Sequence, residues 1–141
     1  MDISYWLKRV FNTEGPNRVE LARKNLNRAM AELERLDIPK DVNGLFALAV
    51  IKMFVRADRA VTFEDYSFIS EVLNRYIGFE VFQRKMRDDN TDEARINWLD
   101  DVIDRFSPEG KEALCIFGMC VMQSNDVLSK EEHDLFDRIL K

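Results

Sequence analysis

The chain has few of the residues that break or cross-link a polypeptide. Its 141 residues include five Gly, three Pro, two Cys and one His. So few Gly and Pro residues argue against a many-stranded fold with tight turns, and one His with two Cys does not supply the clustered ligands of a zinc site. Cys115 and Cys120 stand five apart in an apolar segment of helical pattern. They cannot bridge each other within one helix, so we expect both to be reduced.

Long apolar runs and an excess of positive charge are also missing. The apolar runs at 45–50 and 113–122 are far shorter than a membrane span, and residues 1–11 lack the apolar region of a secretory signal. The net charge is −5, and residues 41–141 carry thirteen Lys/Arg against twenty Asp/Glu. Because an acidic body repels DNA phosphates, we expect no nucleic-acid partner. The reduced cysteines lead us to expect a cytoplasmic protein.

Helical periodicity is the pattern that the chain does contain. Apolar residues recur at helical spacing in eight segments, predicted at 2–11, 17–36, 41–57, 62–76, 80–87, 92–106, 107–123 and 129–140. Asp41 or Asn43 is expected to cap the third helix, and Gly78 to close the fourth in a left-handed conformation. The third helix, apolar nearly all round, is expected to form the buried centre. The sequence therefore predicts an all-α fold, a single-domain bundle of about seven or eight helices over residues 1–141.

Two stretches of the chain resemble each other. Residues 46–73 match residues 113–140 without a gap, and Thr62 with Asp65 falls on Ser129 with Glu132. Each pair has the spacing of a helix capping box. The apolar residues that follow each pair also coincide. The sequence thus predicts N-terminal helices in 1–40 and two pseudo-repeated helix-loop-helix hairpins, at 41–76 and 107–141, whose apolar faces pack together.

The two predicted loops carry a family resemblance. The first reads Ala57-Asp-Arg-Ala-Val-Thr-Phe-Glu-Asp65 and the second Ser124-Asn-Asp-Val-Leu-Ser-Lys-Glu-Glu132. An apolar helix, a small residue with an acid, a short loop and a capped helix opening with paired acids resemble the TerB-like family. Arg59 stands where that family has Gly. The resemblance implies a helical domain of this length, a role in tellurite resistance or stress response, metal binding and assembly with protein partners.

Acidic residues around these loops are the candidate metal ligands. Hard divalent ions such as Ca²⁺ or Mg²⁺ need several oxygen ligands converging on one point, which two loops meeting at one end of the bundle would supply. The helix dipole also favours acids in the first turn of any helix, and we expect that structural role ahead of metal binding. An EF-hand is excluded because no Gly occupies the sixth loop position. The candidate metal ligands are Asp58, Glu64, Asp65, Glu131 and Glu132.

Three functions remain open on the sequence alone. The first is a non-enzymatic TerB-like interaction module that binds protein partners and, through the acidic loops, a divalent ion. The alternative is a metal-independent adaptor that uses its N-terminal amphipathic helix or its acidic face within 88–104. The third is a hydrolase that uses Asp58 and Glu64. The chain has no Gly-rich phosphate loop or nucleophile elbow, and His133, expected on the surface, has no nucleophile beside it. We therefore expect no enzymatic activity and assign no catalytic residue.

The N-terminal helix has two uses that the sequence allows. Ile3, Trp6 and Leu7 lie on one side of it, with Lys8 and Arg9 on another. Such a helix can contact a membrane surface or a partner, or it can cover its own bundle. Because two basic residues attract anionic lipid only weakly, we expect residues 1–11 to pack on the bundle.

Overall fold

The computed structural model describes residues 1–57, 61–87, 93–122 and 128–141, without the side chains of 57 and 93–97. These ranges contain eight α-helices and no strand, so the predicted all-α bundle of about seven or eight helices is confirmed. No helix in them is both long and apolar enough to cross a membrane. The helices are α1 (Ile3–Phe11), α2 (Pro16–Arg35), α3 (Asn43–Ala57), α4 (Phe63–Leu73), α5 (Phe79–Arg87), α6 (Glu93–Asp104), α7 (Pro108–Met122) and α8 (Lys130–Leu140).

Helix α7 is the buried centre of the bundle. Every residue from 113 to 122 is buried, and α7 contacts α1, α2, α3, α4 and α8. The prediction that α3 fills this place is wrong, because Leu45 and Leu48 of α3 are exposed. Both helices are apolar nearly all round, so apolar content alone does not identify which of the two is the central helix.

Two glycines of α7 mark the closest helix approaches. A Cβ atom built on Gly118 would lie 2.2 Å from Cε1 of Phe54 on α3. The Phe54 ring also contacts the rings of Phe117 and Phe136. A Cβ atom on Gly110 would lie 2.5 Å from Oε1 of Glu32 on α2. Because atoms this close would overlap, only Gly fits at either position with the neighbours as they stand.

The second helices of the two matching stretches have the same boundaries. Helices α4 and α8 each contain eleven residues, and the offset that matches the two stretches places 63–73 on 130–140. Helix α3 contacts both α7 and α8, and α7 contacts both α3 and α4. The first helix of each hairpin therefore packs against both helices of the other hairpin.

Two helix termini differ from the prediction. Helix α4 ends at Leu73 rather than near Tyr76, because Asn74 takes the left-handed conformation (φ 51°) that was expected of Gly78. Asn is the residue that follows Gly in tolerating this conformation. Helix α3 continues directly from a 3₁₀ turn at Lys40–Val42, and Asn43 is itself helical (φ −57°, ψ −42°). Neither Asp41 nor Asn43 is therefore an extended N-cap residue.

Helix α1 packs on its own bundle, as we expected. Leu7 and Val10 are buried, and α1 contacts α7. The Arg18 side chain of α2 donates hydrogen bonds to the carbonyl oxygens of Val10, Phe11 and Thr13 at 3.2, 3.3 and 2.8 Å. These bonds satisfy carbonyls at the end of α1 that have no partner within the helix. The apolar side of α1 is thus used inside the fold.

The Gly118 contact predicts a large effect of one methyl group. We expect Gly118→Ala to lower the free energy of unfolding by about 3 kcal/mol, because the added Cβ atom overlaps the buried Phe54 ring. The matched control is Gly44→Ala, in helix α3, where an added Cβ atom meets nothing within 4 Å. The control should leave stability unchanged or raise it by up to about 1 kcal/mol. Urea unfolding followed by circular dichroism measures both, and equal stabilities would contradict the close approach of α3 to α7.

Candidate functional site

Asp65 and Glu132, two of the predicted metal ligands, close the capping boxes that begin α4 and α8. The Thr62 amide donates to Asp65 Oδ2 at 3.1 Å, and the Ser129 amide donates to Glu132 Oε1 at 2.9 Å. In return the Asp65 and Glu132 amides donate to the Thr62 and Ser129 hydroxyl oxygens at 3.1 and 3.2 Å. Both acidic side chains are buried, at 7% and 5% exposure. Their first task is therefore to satisfy backbone N–H groups at the helix starts.

The pKa of the Asp65 carboxyl agrees with this structural role. Burial raises the pKa of Asp65, the hydrogen bonds from Thr62 lower it, and the neighbouring Glu64 charge raises it again. The net pKa lies above the ordinary value, so the fold does not favour the ionised form of this side chain.

The remaining predicted ligands are not grouped with these two among the residues that the structure describes. Glu64 and Glu131 are exposed, and Asp58 lies outside the described residues. In the parts of the chain that the structure describes, no group of three or more His, Cys, Asp or Glu side chains could hold a metal ion. One observation still favours a ligand here: Glu132 Oε2 is buried and has no hydrogen-bond partner among those residues.

A buried carboxylate that the sequence analysis missed lies between α2 and the start of α7. Glu32 is 2% exposed, and its carboxylate accepts hydrogen bonds from the Ser107 hydroxyl and, at 2.8 Å, from Arg35 Nε. Arg35 also donates through Nη2 to the Arg105 carbonyl oxygen at 2.9 Å. The Ser107 hydroxyl oxygen in turn accepts from the Gly110 amide at 3.1 Å, so Ser107 caps α7 as predicted. The cluster ties the end of α2 to the junction of α6 and α7.

The pKa of Glu32 reflects how fully this carboxylate is paired. Burial raises the pKa, but the hydrogen bonds from Ser107 and Arg35 and the Arg35 charge together outweigh burial, so the pKa lies below its ordinary value. Its position between Ala29 and Leu33, on the apolar stripe of α2, is the sequence signal that could have identified it. Because its oxygens are engaged by protein donors, we assign Glu32 a structural role.

The His and Cys residues offer no reactive centre. His133 is exposed, as predicted, and lies in the second turn of α8. Cys115 and Cys120 are free and buried, and burial raises the pKa of each thiol to about 12. A thiol with so high a pKa is neither a nucleophile nor a metal ligand at neutral pH. Both cysteines therefore act as small apolar residues of the core.

A surface cavity of about 550 Å³ lies between the end of α2 and the start of α3. Its lining includes Met30, Ile38 and Pro39 with the acidic residues Glu34 and Asp37. None of the lining residues is a His, Cys or Ser. The cavity therefore contains no arrangement that points to catalysis.

An exposed group of aromatic and aliphatic side chains, which the sequence analysis also missed, covers the outer surface of α4 and α5. We define the aromatic strip as Phe63, Tyr66, Tyr76, Ile77 and Phe79. Phe63 and Tyr76 are 60% and 67% exposed. Ring centroids lie 5.5 Å apart between Phe63 and Tyr66, and 5.4 Å and 5.3 Å separate Phe79 from these two. Phe63, Tyr66 and Phe79 therefore form one aromatic group, and an exposed apolar surface of this kind is typical of an interaction site.

The segment between α4 and α5 gives the aromatic strip its elongated shape. Phe79 at the start of α5 contacts Phe63 at the start of α4, so the segment 74–78, which begins at the end of α4, returns toward the start of that helix. The Tyr66 hydroxyl donates to the Ile77 carbonyl oxygen at 2.6 Å and holds this segment against α4. The aromatic strip therefore extends from the start of α4 onto the segment 74–78.

Comparison with known protein families, with curated proteins and with solved structures found no match to this chain. The TerB-like resemblance accordingly stays a prediction that depends on the two loop sequences.

The Glu32 cluster predicts how stability depends on pH. Because the folded-state pKa of Glu32 is lowered, its stabilising contribution is present above the unfolded-state pKa of 4.5 and is lost as the pH falls through the folded-state value. We expect Glu32→Gln to lower the free energy of unfolding at pH 7 by about 2–3 kcal/mol. The difference from the unsubstituted chain should shrink below the unfolded-state pKa.

Glu34→Gln is the matched control, since Glu34 is exposed two residues further along α2. Urea unfolding at a series of pH values between neutral and acid compares the three proteins. A Glu32→Gln effect that stays constant as the pH falls would contradict the assigned role of the ionised carboxylate.

Proposed function

We propose that this chain is a non-enzymatic helical interaction module that binds a protein partner through the aromatic strip. The observation that supports the proposal is the exposure of Phe63 and Tyr76 beside three further apolar residues. Exposed aromatic side chains present a large contact area with few rotatable bonds, and they are enriched in protein interfaces. Burying this surface against a partner is favourable in proportion to the apolar area removed from water.

The matched hairpin shows that a capped helix of the same length forms without aromatic residues at the positions of Phe63 and Tyr66. Lys130 and His133 occupy the positions of α8 that correspond to Phe63 and Tyr66 of α4, and both are exposed. The buried positions agree in character between the two helices, because Phe68 and Ile69 correspond to Leu135 and Phe136. The hairpins thus share their core-facing residues and differ on this outer face. We infer that the outer face of α4 has a task beyond packing.

The described residues contain no arrangement typical of catalysis, which supports a non-enzymatic role. Among these residues, shifted pKa values belong to Glu32, Asp65, Cys115 and Cys120. Each is buried in a packing or capping role, and none borders the cavity between α2 and α3. An active site instead places groups with shifted pKa values where a substrate can reach them. A TerB-like stress-response or tellurite-resistance role is compatible with this proposal and is the cellular context that we propose for it.

Divalent-ion binding at the start of α8 is the second candidate function. Glu132 Oε2 has no hydrogen-bond partner among the described residues, and Glu131 precedes it in the first turn. A cation bound there would stabilise an oxygen that is otherwise desolvated without compensation. Ca²⁺ and Mg²⁺ are the ions that carboxylate oxygens favour.

The proposed function predicts that capture of a partner depends on Phe63. We expect the tagged chain to retain a specific protein from its native extract, and Phe63→Lys to reduce the amount retained by at least about tenfold. Lys is the residue at the matched position of α8, so the substitution suits the start of such a helix. Mass spectrometry identifies the captured protein, and a binding assay with the purified pair confirms that it contacts the strip.

Phe11→Lys is the control, because Phe11 is also a large exposed apolar residue, 45% exposed at the end of α1. It should leave capture unchanged, and circular dichroism should show that both variants keep their helices. If Phe63→Lys and the unsubstituted chain capture the same proteins equally well, the proposed function is wrong.

The second candidate predicts metal-dependent stability. An ion present at about 100 times its dissociation constant stabilises the folded state by about 2.7 kcal/mol, which raises the unfolding temperature by several degrees. Under this candidate, Ca²⁺ or Mg²⁺ raises the unfolding temperature above its value in chelator, and Glu132→Gln removes the rise while keeping a capping oxygen. Asp58→Asn tests the ligand expected from the first loop. An unfolding temperature that neither ion changes excludes the second candidate.

A further inference from the structure

We infer that the aromatic strip binds a second copy of this chain, so that two chains form a reversible dimer with twofold symmetry. The inference depends on the proposed function, because it names the occupant of the same surface. It follows from the distribution of charge on the two sides of the strip, from the charge of the rest of the chain and from the apolar area available.

The two sides of the strip carry opposite charges. Glu64 and Glu71 are exposed and lie seven residues apart, so they share one face of α4. Tyr66 and Leu73 share a second face, about 160° around the helix from the acidic pair. Because Tyr66 contacts Phe79 of α5, the acidic pair lies on the side of α4 away from α5. We call this pair the acidic flank.

Helix α5 supplies the opposite charge. Arg84, Lys85 and Arg87 are all exposed in its last turn. We call these three residues the basic flank. Helical spacing places Arg84 and Arg87 on the side of α5 away from Phe79 and Phe82, whose rings contact Tyr66. The exposed Glu80 shares that side, so the three positive charges and one negative charge of α5 leave a balance of +2. The strip therefore lies between an acidic side on α4 and a net basic side on α5, and two copies of this surface can pair opposite charges.

A twofold axis parallel to the strip brings the complementary flanks together. Rotation about such an axis turns the second copy face down and exchanges its left and right sides. The aromatic strips then face each other, and the acidic flank of each copy lies opposite the basic flank of the other. A contact with this symmetry is isologous and closes at two chains. Complementary flanks fix the register of the apolar contact rather than supply most of its affinity.

The net charge of the chain also favours this surface for self-association. Residues 61–87 contain four basic and four acidic residues, a balance of zero, whereas the whole chain has a net charge of −5. The remaining residues therefore carry the entire net charge of −5. Two copies that approach through other surfaces repel each other on average, and contact through residues 61–87 reduces that repulsion.

The available apolar area indicates a weak dimer. Aromatic side chains present about 150–250 Å² each, so the exposed parts of Phe63 and Tyr76 together offer about 250 Å². Leu73, Ile77 and Val81 are partly exposed as well and bring the patch to about 400 Å². With its charged rim, the twofold contact buries about 1,000 Å² in total, at the lower limit for a specific interface. We therefore expect a dissociation constant in the micromolar range.

Sedimentation equilibrium of the purified chain, from about 1 to 500 μM, measures the dimer directly. We expect a reversible monomer–dimer equilibrium within that range. Phe63→Lys should raise the dissociation constant at least about tenfold, and the control Phe11→Lys should leave it unchanged. Circular dichroism and urea unfolding establish that each variant remains folded.

Charge reversal tests the orientation of the two copies. The acid-flank variant carries Glu64→Lys and Glu71→Lys, and the basic-flank variant carries Arg84→Glu and Lys85→Glu. Each variant alone places like charges opposite each other, so its dimer should weaken at least about tenfold. An equimolar mixture should recover dimerisation, because opposite charges then face each other along both flanks. A mixture that stays as weakly associated as its components overturns the proposed orientation.

Two outcomes overturn the second copy as the occupant. The first is a chain that is monomeric at every concentration, and the second is a dimer that Phe63→Lys does not weaken. If the chain is monomeric and capture of a partner still depends on Phe63, another protein occupies the strip. In that case the inference fails while the proposed function stands. A monomer that sediments with phosphatidylserine-containing vesicles, and loses this with Phe63→Lys, has a membrane as occupant and overturns both. A dimer that depends on Phe63 supports both.

Discussion

The enclosure of α7 is the constraint on which the arrangement of the other helices depends. Five helices contact it, and every side chain from 113 to 122 is buried. Helix α2 approaches it at Gly110 and helix α3 at Gly118, where side chains of the neighbouring helices occupy the space that a Cβ atom would need. Because interiors are packed at nearly crystalline density, these contacts fix where α2 and α3 cross α7. Helices α4 and α8 then pack against the same centre.

The acidic residues of the chain serve this arrangement in different ways. Glu32 anchors α2 to the start of α7, while Asp65 and Glu132 complete two capping boxes. Each buried carboxylate accepts hydrogen bonds from donors that would otherwise be unsatisfied. Two of the predicted metal ligands, Asp65 and Glu132, therefore have a structural role. The surface that remains without a structural explanation is apolar, on the outer side of α4 and the segment after it.

The sequence predicted the features that depend on local patterns. The helices and both capping boxes follow from periodicity and from S-x-x-E spacing, which reflect contacts within a few residues. Features that depend on tertiary contacts were missed or wrong. The centrality of α7 arises from small residues such as Gly118 meeting a particular ring, and the pairing of Glu32 with Ser107 joins positions 75 apart. The aromatic strip was missed because residues 74–78 fold back along α4, which helical periodicity does not reveal.

Site-specific photo-crosslinking in the native cell tests whether the outer face of α4 and α5 contacts a protein. A photoreactive phenylalanine derivative replaces Tyr76 in one protein and Phe11 in another. We expect irradiation to crosslink the chain with the derivative at position 76 to one discrete protein, either a second copy or another protein. We expect little crosslinked product from position 11. Equal crosslinking from the two positions, or crosslinking from position 11 alone, would contradict this expectation.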